Sequence, residues 1–157
     1  MNRTLSPHHP ISPIREEDLQ TFKHLVPPTA AHLLALLGTH DALALFNAWP
    51  GVQIAIPKGP CNNAGGARRW VQIVAIVGES AALKLAEDMG GQIMEVPMFH
   101  SLRKARRNQA IRTAFDSMTG RPPAGGGMSK ASAVHALGLM HSPITWRQIE
   151  VILDRAE

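Results

Sequence analysis

The sequence has 157 residues, of which 45% are hydrophobic, so it can bury a core and wholesale disorder is excluded. Its 16 Lys+Arg exceed its 12 Asp+Glu, and the net charge of +4 is compatible with a polyanionic partner without requiring one. No apolar run approaches the ~18 residues of a transmembrane helix, and the N-terminus lacks the apolar stretch of a signal peptide. The single Cys61 excludes an intrachain disulfide and suits a reducing compartment. These features predict a cytosolic protein.

The chain begins with a polar, proline-rich segment, residues 1–12, which is predicted to be a disordered arm. A first helix is predicted to follow, with Ser12 as N-cap and Pro13 at its first position. The acidic residues of its first turn suit the positive end of the helix dipole. The prolines at 27–28 are expected to end it.

A repeat then follows, because residues 38–57 match residues 78–97 at an offset of 40 without a gap. The six identical pairs are Gly38/Gly78, Ala42/Ala82, Leu43/Leu83, Leu45/Leu85, Gly51/Gly91 and Pro57/Pro97. Each copy begins at the glycine that ends the preceding helix and predicts a helix, a glycine turn and a short strand that ends at proline. Thr29 is the N-cap expected for the helix before the first copy. Such a period also occurs in solenoids, but two copies are too few, so we predict a duplicated helix–strand unit.

Two short strands are predicted, 52–57 and 92–97. Either strand alone would leave its backbone N–H and C=O groups without partners, so each needs another strand to pair with. They are expected to pair as an antiparallel ribbon, either within one chain or between two subunits. The predicted ribbon or dimer residues are Val52, Ile54, Ile56, Ile93, Met94 and Val96.

The C-terminal part is predicted to contain three helices. A long helix spans about residues 98–118, the Gly/Pro-rich segment 119–128 is expected to be a flexible linker, and two shorter helices follow. Thr145 and Gln148 form a capping box for the last helix. The predicted organisation is a dimerisation region at 13–97 and a helix-turn-helix region at 98–157, in a mainly α fold with a small antiparallel β ribbon.

The long helix carries a basic cluster that suits contacts with DNA phosphates. The predicted phosphate contacts are Arg103, Lys104, Arg106, Arg107 and Arg112. The alternative is an ordinary solvated helix face. A further possibility is that Arg112, with Asn108, braces the helices.

The last helix is the predicted recognition helix. Ile149, Ile152 and Leu153 are expected to face inward, and Trp146 is left unassigned because it could pack in the core. Arg147 and Gln148 would then lie in the first turn, where arginine can pair with guanine and glutamine with adenine. The alternative is that both are polar surface residues and Gln148 only completes the capping box.

No catalytic constellation is evident. The eight His lack metal-site spacing, and "KGPCNNAGG" lacks the ending of a phosphate-binding loop. The sequence therefore predicts neither an enzyme, nor a cofactor, nor a metal site.

"GGQIMEVP" followed by "RNQAIRTAF" resembles the Mor/C transcription activators of Mu-like bacteriophages. The matching positions are Gly90, Gly91, Val96, Pro97, Arg107, Asn108, Ile111, Arg112 and Phe115. The resemblance covers about residues 29–118 well and the C-terminus loosely. It implies a homodimeric activator that binds a dyad-symmetric double-stranded DNA site and engages host RNA polymerase in the bacterial cytoplasm. No membrane partner is expected, because the sequence lacks a long apolar run.

This sequence departs from the family pattern in two places. The strand unit is doubled, so one chain could form its own ribbon, and "RPPAGGG" replaces the short link before the second helix of the C-terminal region. The rival hypothesis is a non-enzymatic interaction or inhibitor protein built on the same fold.

Overall fold

The computed structural model describes residues 11–60 and 63–155. The expectations for residues 1–10 of the arm and for Cys61 lie outside these ranges. The chain divides into two compact units, one ending at His100 and the other beginning at Ser101. Within the described ranges the fold is mainly α with one two-stranded antiparallel sheet, which confirms the predicted fold class. None of the described helices is both long and apolar enough to span a bilayer.

The first unit contains five α-helices and two strands among its described residues. They are α1 (Glu16–Thr21), α2 (Pro28–Leu37), α3 (Thr39–Ala48), β1 (Gln53–Ala55), α4 (Ala64–Val77), α5 (Glu79–Met89) and β2 (Ile93–Glu95), with a 3-10 turn at Lys23–Leu25.

Two predicted helix starts are wrong. Helix α1 begins after Arg15 rather than Ser12, because the Arg15 N–H donates to the Asp18 carboxylate at 2.9 Å and this bond closes the first turn there. Helix α2 begins at Pro28, with Pro27 rather than Thr29 at the N-cap. Proline suits the first helical position because its φ is already set and its missing N–H would have no partner there.

The repeat is visible in the backbone. Gly38 and Gly78, which separate the two helices of each copy, have nearly identical φ values of 84° and 85°. Glycine adopts this conformation without the steric cost of a Cβ atom. The copies are also crossed, since α2 packs on α5 of the other copy and α3 packs on α4. The first unit is therefore an internal pseudo-dimer.

The ribbon lies on the pseudo-twofold axis. Ile54 is paired with Met94, its own counterpart in the repeat. The flanking hydrogen bonds are also equivalent: Gly51 N–H to Val96 O and Gly91 N–H to Ile56 O are both 2.8 Å. The ribbon expected within a chain or between subunits thus forms within one chain.

Only part of the predicted ribbon set is buried. Ile54, Ile56, Met94 and Val96 are buried, each 7% exposed or less. Ile93 is 73% exposed because its side chain alternates to the outer face of the ribbon. Val52 is 43% exposed and lies immediately before β1.

The second unit is a three-helix arrangement. Helix α6 (His100–Thr119) supplies its residues from Ser101 onward, and α7 (Lys130–Met140) and α8 (Trp146–Asp154) follow. One hydrophobic cluster joins them. Its buried members are Ile111, Val134, Leu137, Ile149 and Ile152, with Leu153 partly buried against them.

The segment predicted as a flexible linker is a closed turn. Gly126 N–H donates to Ser117 O at 2.9 Å, and Gly127 N–H donates to Gly120 O at 2.8 Å. A Cβ atom on Gly125 would lie only 2.5 Å from the backbone of Gly120. Composition predicted flexibility, but these glycines allow backbone segments to approach closely enough for the turn to bond back onto α6.

We expect Ile54→Pro to destabilise the first unit by about 3 kcal/mol, because it removes the N–H directed at β2 and much of a buried side chain. Gln53→Pro is the matched control, since the Gln53 N–H points away from β2 in this register. Urea unfolding followed by circular dichroism measures both. Equal losses in the two variants would contradict this account of the ribbon.

Candidate nucleic-acid interface

A groove in the second unit runs between α6 and α8. Its lining contains five cationic side chains and one carboxylate. These are Lys104, Arg107 and Arg112 from α6, Arg147 and Asp154 from α8, and Arg155 just beyond it. The groove therefore has an excess of positive charge, which attracts polyanions.

Arg112 binds the C-terminal end of α8. Its Nε donates to the Ile152 carbonyl oxygen at 3.1 Å, and its Nη2 donates to the Arg155 carbonyl oxygen at 2.8 Å. The last carbonyls of a helix have no partner within the helix, and a cation there also suits the helix dipole. The structure thus places Arg112 in the bracing role that the sequence left open.

Lys104 and Arg107 lie one turn apart on the side of α6 that faces the groove. Lys104 is exposed, and Arg107 is half-buried. The Arg107 guanidinium donates to the Asn108 side-chain oxygen at 3.0 Å, which restricts its orientation. Of the predicted phosphate contacts, these two have the geometry to meet an anion in the groove.

Arg103 and Arg106 are not part of the groove lining. Arg106 instead lines a separate surface pocket with Gln109 and Thr113. Both arginines are half-buried and take part in other interactions. The basic cluster that is continuous in sequence is therefore divided between different faces of α6, because each helical residue is rotated by about 100° from the one before it and the neighbours Arg106 and Arg107 point to different sides.

The first turn of α8 is fixed by the predicted capping box. Gln148 N–H donates to the Thr145 hydroxyl at 3.3 Å, and Thr145 N–H donates to Gln148 Oε1 at 2.9 Å. Bidentate pairing of glutamine with adenine requires both atoms of its amide group. Because Gln148 Oε1 is already engaged, base recognition by Gln148 would require this cap to open.

Arg147, Val151 and Asp154 form an exposed stripe along α8. They are spaced four and three residues apart, and all three line the groove. Val151 is 48% exposed, so its branched apolar side chain is accessible from the groove. Val151 and Arg155 were not predicted from the sequence as site residues, although Val151 lies four residues from Arg147, a spacing that indicates a shared helix face.

Trp146 is at the surface, 53% exposed, rather than in the core. The Arg147 guanidinium carbon lies 5.2 Å from the centre of its ring, within the range of a cation–π contact. This contact supports the Arg147 side chain at the start of α8.

No group of three or more metal-ligating side chains occurs within residues 11–60 and 63–155.

Comparison of the chain with protein-family models, curated proteins and solved structures finds no match. The chain is therefore described by its own fold and by the charge of its surface. It is a mainly α protein with an internally duplicated ribbon unit and a three-helix unit that carries a basic groove.

We expect Arg112→Met to lower the stability of the second unit by about 1–3 kcal/mol, because two charge-assisted bonds to α8 are lost while most of the apolar stem is kept. Arg107→Met removes the same charge from the same groove and should cost much less. Hydrogen exchange of the α8 amides distinguishes the two variants. Similar protection in both would show that Arg112 does not hold the helix.

Proposed function

We propose that this chain is a sequence-specific DNA-binding transcription regulator that contacts DNA through its three-helix unit. The groove between α6 and α8 is the observation that carries this proposal. It combines cations suited to phosphates with an exposed helix face suited to base edges.

The expected docking places α8 in the major groove with its first turn foremost. That turn is held by a capping box, and α7, a connection at residues 141–145 and α8 follow one another as in a helix-turn-helix. Lys104 and Arg107 would then contact the DNA phosphates beside the major groove. Such contacts supply affinity and orientation but no sequence information.

The exposed stripe of α8 would supply specificity. Arginine pairs bidentately with guanine, an apolar side chain contacts the thymine methyl group, and a carboxylate accepts from the cytosine amino group. Arg147, Val151 and Asp154 provide one group of each kind. The Asp154 carboxylate would also repel phosphates. It would therefore favour close approach of DNA only where a base presents a hydrogen-bond donor, such as the cytosine amino group, to it.

The resemblance to the Mor/C activators supports a regulatory role and suggests host RNA polymerase as a partner. On this proposal the chain acts in the cytoplasm of a bacterial host. The internal pseudo-dimer of the first unit bears on whether one chain or a homodimer occupies a DNA site.

A second candidate function is docking to another protein without DNA. Leu139 and Met140, at the end of α7, are 70% and 65% exposed, and Trp146 lies at the start of α8. Exposed apolar and aromatic side chains are common at protein interfaces. Binding that survives loss of the groove cations but is abolished by Leu139→Ser would favour this function.

We expect Arg107→Ala to weaken binding to all duplexes and to reduce the slope of log K against log salt by about one unit. The reason is that one phosphate contact, with its released counterion, is lost. Arg121→Ala, at an exposed residue of the closed turn, is the matched control for net charge. Fluorescence anisotropy over a salt series measures the slope. Equal slopes in both variants would leave the groove without a role in DNA binding.

We expect Arg147→Ala to lose about 1–3 kcal/mol on a selected duplex and far less on a scrambled one, because a bidentate contact with guanine is sequence-specific. The selected duplex is obtained by enrichment from a randomised library. Replacing its thymines with deoxyuracil tests Val151 in the same assay, since only the methyl group is removed. Equal losses of Arg147→Ala on both duplexes would make Arg147 a phosphate contact.

A further inference from the structure

We infer that a single copy of this chain binds a single DNA site that lacks dyad symmetry. This inference rests on the proposed function and concerns the kind of DNA site and the number of chains on it. It departs from the homodimer on a dyad-symmetric site that the sequence suggested.

The ribbon is already complete within one chain. Val96 N–H donates to Val52 O and Ile56 N–H donates to Gln92 O, both at 2.9 Å, and these two bonds are exchanged by the pseudo-twofold axis. The central pair is a residue and its own repeat counterpart. A second chain would have to break these bonds in order to replace either strand in this ribbon.

The inner face of the ribbon is also covered from within the first unit. Met94 is 2% exposed and Val96 is fully buried, and the crossed packing of α2 on α5 and of α3 on α4 completes both halves. A homodimer that builds one ribbon from two identical chains gains this burial on association. This chain gains it on folding, so the need for a partner is removed.

Only one copy of the repeat continues into a three-helix unit. The chain leaves β2 through Pro97 and enters α6 at His100. It leaves β1 through Pro57 and instead reaches α4, the first helix of the second copy. Within residues 11–60 and 63–155 the pseudo-dimer therefore carries one recognition helix, whereas a dyad-symmetric site requires two.

The two halves have also become different. Asn47 holds the backbone of Ile14 with bonds of 2.8 and 2.9 Å, whereas its counterpart in the second copy is the exposed Glu87. Phe46 packs edge-on against Phe99 at 4.9 Å, and its counterpart is Ala86. These differences mean that the pseudo-dimer is structurally asymmetric, which is consistent with a site that has no dyad.

The outer face of the ribbon is one surface through which two such first units could still associate. Ile93 is 73% exposed there and pairs across the ribbon with Ala55. Ile93→Lys would place a charge on that face while leaving the buried face intact. If the inference holds, this variant is monomeric like the parent chain and binds DNA with the same stoichiometry.

The test is enrichment of duplexes from a randomised library by the full 157-residue chain, followed by native mass spectrometry of the complex. We expect a motif without an inverted repeat and a complex of one chain with one duplex. An inverted-repeat motif bound by two chains would overturn the inference while leaving DNA binding intact. A dimer of the free chain that Ile93→Lys dissociates would also overturn it. Failure to enrich any motif would instead overturn the proposed function, and this inference with it.

Discussion

The antiparallel pairing of β1 with β2 is the constraint on which the first unit depends. Each strand is only three residues long, and neither could satisfy its backbone groups alone. Pairing Ile54 with Met94 fixes the twofold relation between the copies. That relation in turn places α2 against α5 and α3 against α4. The reason is that a short glycine turn joins α3 to β1 in one copy and α5 to β2 in the other. The duplicated sequence is thus explained as two halves of one ribbon.

The second unit depends on a different kind of contact. Its helices share a cluster around Ile111, and Arg112, the next residue on α6, holds the end of α8 through two carbonyl oxygens. Adjacent residues on one helix thereby fasten the same partner by apolar packing and by charge-assisted bonds. The orientation of α8 that results turns Arg147 and Val151 toward the basic side of α6.

The arginines of α6 show how one charged stretch can serve several purposes. Arg112 stabilises the fold. Arg107 lies in the groove, and its guanidinium group is oriented by a hydrogen bond to Asn108. Arg106 lies on another face of the helix. A net charge of +4 could not distinguish these roles. In the proposed function, only the side chains that face the groove contribute to phosphate binding, so the salt dependence should reflect their number rather than the total charge.

The sequence by itself determined the features that depend on local backbone geometry. These include the repeat, the proline stops of both strands, the glycines between helices and the Thr145–Gln148 capping box, because each is set by φ, by a missing N–H or by a bond within one turn. The buried pattern of Ile149 and Ile152 followed from helical spacing in the same way.

Only the tertiary structure decided the features that depend on which surfaces meet. The sequence could not choose between a ribbon within the chain and one between chains, since both satisfy the same backbone groups. It could not decide between the phosphate-contact and bracing roles of Arg112. It also did not show that Trp146 is exposed or that Val151 lines the groove, since these outcomes depend on the rotation of α6 and α8 about their axes. That rotation is fixed by contacts between segments distant in sequence, which periodicity along one helix does not encode.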